Sequence, residues 1–131
     1  MSSRRRARRE ALTLLYQWDL TGQPLASLYP SAVDEFALDL AQAVTRRAEE
    51  LDALITGAST GWPAERLGHV ERSILRMGAL EIVERRVPVQ VAINEAIELA
   101  KRYASDEAAA LVNGVLARIA REREPAPEGS G

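Results

Sequence analysis

Apolar residues recur every three or four positions along almost the whole chain, and no stretch of convincing length alternates in the two-residue period of a strand. That single pattern restricts the fold to packed helices. Ala7, Ala11, Leu14, Leu15 and Trp18 share one helical face, which Ser2 or Ser3 can cap and Gly22 with Pro24 should end. A second start stands at Ser31, with Asp34 three residues on as a variant capping box. Val33, Phe36, Ala37, Leu40, Val44, Ala48, Leu51 and Ile55 then keep register to Gly57, which predicts one helix of about 25 residues, ~37 Å long.

Pro63 suits the first turn of a short helix through Ala64 to Leu67. Val70, Ile74, Leu75, Met77, Leu80, Ile82 and Val83 cover a broad arc, the mark of a central helix. Val87-Pro88 breaks it. Ile93, Ala96, Ile97, Ala100 and Tyr103 form the next stripe. Ser105 reads as an N-cap for the last helix, which carries Leu111, Val112, Val115, Leu116 and Ile119. Gly114 falls inside that stripe, where it costs about 1 kcal/mol against Ala, so a second backbone is expected close to it. The expectation is an all-α bundle of about six or seven helices over residues 1–123, followed by a disordered tail at 124–131.

Composition narrows the chemistry. At 131 residues the chain is most simply one domain. There is no Cys and one His, His69, which argues against disulfides, thiolate metal sites, a thiol nucleophile or a histidine-rich metal centre. His69 is expected at the surface or half-buried, without a catalytic role. No apolar run is long enough for a membrane span and no secretory signal is evident, so the expected location is cytoplasmic. Glu71, Glu81, Glu84, Glu95 and Glu98 have no nucleophile or metal cluster beside them and read mostly as solvated-face residues.

Charge is distributed very unevenly. Arg4, Arg5, Arg6, Arg8 and Arg9 stand in the first nine residues of a chain with a formal net charge of -2. On a helical wheel Arg5, Arg9 and Tyr16 lie opposite the core face, with Arg6 and Thr13 beside them. Cations at a helix N-terminus oppose the macrodipole, at about 0.3–1 kcal/mol each, and they repel one another. A polyanion relieves both penalties, whereas a solvated helix face does not. Arginine clamps phosphates and tyrosine stacks on unpaired bases, so this arrangement suits single-stranded RNA.

Three ordered blocks carry a resemblance. They are Arg4 through Asp19 in the first helix, Val70 through Glu81 in the central one, and Val87 through Lys101 followed by Val112-Asn113-Gly114-Val115-Leu116. Together they resemble the NusB family of bacterial transcription antitermination factors. Residues 23–66 match only in helical character, and Ala110-Leu111, Leu80 and Arg9 depart from the family's usual residues.

The resemblance implies an all-helical, non-enzymatic regulator of ribosomal RNA transcription that uses no cofactor or metal. It implies binding of the boxA element of ribosomal RNA leader transcripts, as a heterodimer with NusE, a small-subunit ribosomal protein, loaded onto RNA polymerase. Some members of the family self-associate and mask the RNA surface. By position, Arg4, Arg5, Arg6, Arg8, Tyr16, Lys101, Tyr103 and Glu107 match RNA contacts, and Glu71 and Glu81 match the helix turned toward NusE. Asn94 and Asn113 match positions that cap or bridge helices. Two other readings remain. One is a domain related to ribosomal RNA cytosine-5 methyltransferases, which would need a Cys and a cofactor domain to catalyse. The other is a helical protein-interaction adaptor without RNA binding.

Overall fold

Six α-helices and two 3-10 turns, with no strand, make up the described residues of the computed structural model, which are 3–123. The expected disordered tail at 124–131, and residues 1–2 of the leading segment, lie outside the described residues. The helices are α1 (Ser3–Thr21), α2 (Glu35–Arg46), α3 (Ala48–Ala58), α4 (His69–Val83), α5 (Val89–Tyr103) and α6 (Asp106–Arg123). The expected all-α class is the observed one.

Local chemistry sets the boundaries. Gly22 ends α1 with φ +71°, a left-handed conformation that glycine adopts without a Cβ clash. Asp34 caps α2, its carboxylate accepting from Phe36 N at 2.8 Å and Ala37 N at 3.3 Å. The cap expected at Ser31 is therefore three residues later. The single 25-residue helix is also not observed: Arg47, at φ −114° and ψ 18°, separates α2 from α3. Its guanidinium bonds Glu50 on α3 and Glu84 beyond α4, which fixes the corner. Ala64–Arg66 forms the short 3-10 turn after Pro63, and Pro88 precedes α5. Ser105 does cap α6, its Oγ accepting from Ala108 N at 3.0 Å.

α4 is the central element. It packs against α1, α2, α3, α5 and α6, and every residue from Ser73 to Ile82 is buried. Around it Leu15, Leu40, Leu51, Ile55, Leu116 and Ile119 are fully buried. The close helix approach occurs at Gly78 on α4, where an added Cβ would lie 2.5 Å from Leu116 Cδ1. Gly114 continues α6 as expected, but nothing lies within 4 Å of where its Cβ would stand, so no second backbone approaches it. No helix among the described residues is long and apolar enough to cross a membrane.

Candidate nucleic-acid interface

α1 lies along the surface with its N-terminal arginines distributed among three environments. Arg4 stacks over Phe36 of α2, its guanidinium carbon 4.3 Å from the ring centroid. Arg5 and Arg6 are exposed, and Arg5 makes a surface pair with Glu95 of α5 at 3.1 Å. The neighbouring Glu95 carboxylate holds the Arg5 guanidinium above its ordinary pKa, first by hydrogen bonding and then by charge attraction.

Arg8 is placed differently from its neighbours. It is 5% exposed, and Glu81 of α4 is 2% exposed. The two meet in a bidentate pair, with Nη2 to Oε2 at 2.7 Å and Nε to Oε1 at 3.2 Å. Arg8 is thus held to Glu81 at the base of the cleft described below, with Glu95 3.8 Å away, and Glu81 is enclosed between α1 and α4. Glu84 and Glu95 also depart from the solvated-face expectation. Both are half-buried, with Glu84 bonded to Arg47 and Arg86, and Glu95 bonded to Arg5.

Between α1 and the C-terminal half of α5 runs a cleft of about 280 Å³. Its lining holds the cations Arg5, Arg8, Arg9, Lys101 and Arg102 against the carboxylates Glu95 and Glu98. The leading arginines and Lys101, assigned separately in the sequence, thus share one cavity. Arg9 and Arg102 join them without having been assigned as contacts. Arg9 was legible from its place on the cationic stripe opposite the core. Arg102 was legible as the residue between Lys101 and Tyr103, and its guanidinium sits 5.5 Å from the Tyr103 ring centroid.

One turn further along α1, Leu12, Thr13, Tyr16, Val70 and Tyr103 line a second pocket of about 180 Å³. The two assigned tyrosines therefore converge. Tyr103 is 45% exposed, leaving a face open to a stacking partner. Tyr16 packs edge-on against His69, with centroids 6.3 Å apart and planes at 85°. His69 is half-buried, as expected. Its Nδ1 lies 2.6 Å from Asp19 Oδ2, and Asp19 also accepts from Arg72 at 2.6 Å and Arg76 at 2.9 Å. Burial pushes the Asp19 carboxyl upward, but hydrogen bonds from Arg72, His69 and Arg76 outweigh it and leave the pKa below the ordinary 3.8. Arg76 continues to Asp52 of α3 at 2.7 Å, so one ionic network ties α1, α3 and α4 together behind the pocket.

The remaining assigned residues sit apart. Glu107 is exposed in the first turn of α6, outside the lining of either pocket. Glu71 is half-buried in the first turn of α4, and its carboxylate folds over Gly68. Asn94 and Asn113 are both exposed. Asn94 accepts from Gln90 on its own helix, a bond that bridges no two elements.

The chain that carries this cleft and these tyrosines has known relatives. The model of the NusB family matches residues 5–121. This chain belongs to the NusB family. A NusB-family relative, the transcription antitermination protein NusB of Rubrobacter xylanophilus, is 42% identical over 121 residues, 87% of each chain. The solved structure of T. maritima NusB is similar with a TM-score of 0.82 at 30% identity, covering 95% of this chain and 94% of that one. A crystal structure of the antitermination factors NusB and NusE in complex with dsRNA contains a chain similar with a TM-score of 0.78 at 30% identity. That match covers 92% of this chain and 99% of the other. The NusB resemblance carried by the three sequence blocks is thereby established as family membership.

Proposed function

We propose that this chain is a transcription antitermination factor that binds boxA RNA of ribosomal RNA leader transcripts together with NusE. In this reading the pair joins the RNA polymerase elongation complex and promotes processive transcription of ribosomal RNA operons. The observation that carries it is the convergence of Arg5, Arg9, Lys101 and Arg102 on one cleft, with Tyr16 and Tyr103 lining a separate pocket one turn further along α1. Cations on both walls suit a phosphate backbone passing between α1 and α5, and the tyrosines suit the bases it carries. Glu95 and Glu98 partly neutralise the cleft, so phosphate competes with Glu95 for Arg5. Affinity should therefore be modest and salt-sensitive for the chain alone, and NusE should raise it. Arg4 and Arg6 contribute from the exposed start of α1 and Glu107 from the start of α6, while Glu71 lies toward NusE. The solved NusB relative seen with NusE and dsRNA supports this choice of partners.

The test is fluorescence anisotropy of a labelled boxA oligomer titrated with the chain, with and without NusE, across a salt series. Binding is expected, with a negative log–log salt slope that shrinks by about 0.7 in magnitude for each phosphate contact removed. Lys101→Ala should lose about one such contact while melting as wild type. Failure to bind the oligomer at low salt even with NusE present would overturn the proposal.

A further inference from the structure

α1 has cavities on both flanks. Opposite the cationic cleft, Arg6, Arg9, Glu10, Thr13, Leu14, Gln17, Leu28 and Pro30 enclose a hollow of about 420 Å³ between α1 and the α1–α2 connector. Its far wall is fixed to the bundle. Asp34 N donates to Glu10 Oε1 at 2.7 Å, and Gln42 Nε2 donates to Tyr29 Oη at 3.3 Å. The floor and far wall are apolar, from Leu14, Leu28 and Pro30. The near wall is polar, from Arg6, Arg9, Thr13 and Gln17. Arg9 borders both this hollow and the cleft, and Thr13 borders both this hollow and the tyrosine pocket. The surface is thus continuous over the ridge of α1.

We infer that this hollow is a second nucleotide subsite, which takes a base flanking the segment bound in the cleft and prefers one with an exocyclic amino group. The inference rests on the proposed reading of the cleft as an RNA site. A phosphate at Arg9 on the crest places one neighbouring base toward Tyr16 and Tyr103 and the other toward Leu28 and Pro30. The apolar wall receives a base face. Two polar groups then meet its edge. Gln17 is exposed and supplies both an amide donor and a carbonyl acceptor. Glu10 uses one oxygen on Asp34 N and retains acceptor capacity on the other. Uracil offers such an edge a single ring N–H, whereas the amino group of adenine, cytosine or guanine carries two N–H bonds and can donate to the Glu10 carboxylate and the Gln17 carbonyl together. The Glu10 charge also repels a phosphate, so the hollow suits a base, with its backbone held by Arg6 and Arg9.

The experiment compares a minimal boxA oligomer with the same oligomer extended by two adenosines or two uridines at either end, titrated by anisotropy into the full chain with NusE. The readout is the ratio of extended to minimal affinity. Adenosines at one end should raise affinity roughly fivefold or more, uridines there should raise it less, and Gln17→Ala should bring the adenosine ratio close to one. A Leu28→Lys variant, which fills the hollow, should do the same, with circular dichroism melting to verify that each variant is folded. No gain at either end, equal gains from adenosine and uridine, or a gain that survives both variants would overturn the subsite while binding of the minimal oligomer leaves the cleft reading intact. Absence of minimal-oligomer binding would remove both.

Discussion

The guanidinium of Arg8 and the carboxylate of Glu81 form a bidentate pair sealed between α1 and α4, with side chains only 6% and 3% exposed. The pair makes a basic residue of the leading segment part of the scaffold. Removing one partner leaves a buried charge unmatched, which costs about 3–5 kcal/mol. Arg8→Ala, which strips Glu81 of its partner, should lower stability by that amount in urea unfolding, and Glu81→Ala should cost less because Arg8 keeps Glu95 at 3.8 Å. A joint replacement, Arg8→Met with Glu81→Leu, should recover most of the loss, because burying a matched pair of charges stabilises little more than apolar packing. A loss of RNA binding in Arg8→Ala reports unfolding unless stability is measured beside it.

The open face of Tyr103 leads to a different outcome. Tyr103→Ala should melt as wild type and weaken boxA binding by about 1–3 kcal/mol, the usual worth of one base stacked on an aromatic ring. Tyr103→Phe keeps the ring and should bind nearly as well. Anisotropy titrations of the two variants check this, and equal losses in both would point to the hydroxyl instead of stacking.

Acid should act through Asp19. Its pKa is lower folded than unfolded, so the unfolded chain takes up the proton first as pH falls. The stabilisation from Asp19 is thus complete above its ordinary 3.8 and is lost as pH drops through its lower folded value. Glu50 and Glu84 are depressed in the same direction by arginine partners. Urea midpoints should be flat near neutrality and fall below about pH 4. In Asp19→Asn the midpoint should be lower at pH 7 and the acid decline shallower.

Gly78 and Gly114, both inside helices, should respond oppositely to alanine. At Gly78 the new methyl would meet Leu116, which is fully buried and cannot swing away, so a loss of about 1–3 kcal/mol is expected. At Gly114 the methyl enters open space in a helix interior, so a gain of about 0.5–1 kcal/mol is expected. Thermal melts of the two variants separate these signs.

The periodic pattern made the helices legible because each buries one stripe, and stripes survive in sequence. Interruptions were harder to see. Arg47 keeps the hydrophobic register across the α2–α3 corner, so apolar spacing alone reads one helix. The charge order gave the corner away: Arg46 closes α2 and Glu49-Glu50 open α3, each favouring its own helix dipole. The burial of Arg8 was hidden for a related reason. Its charge grouped it with its neighbours, yet Ala11, Leu12 and Leu15 stand three, four and seven residues later and are all buried, which places Arg8 on the core stripe. The site's second wall could be read only in pieces. That Lys101 and Arg102 face Arg5 and Arg9 depends on how α1 and α5 both rest on α4, a relation that no local spacing encodes.

Because α4 touches all five other helices, the two walls of the cleft share one abutment. Neither α1 nor α5 can tilt away without opening the middle of the molecule. The groove's width is therefore set by the bundle itself, and on the proposed reading an RNA strand would meet an aperture already cut to size.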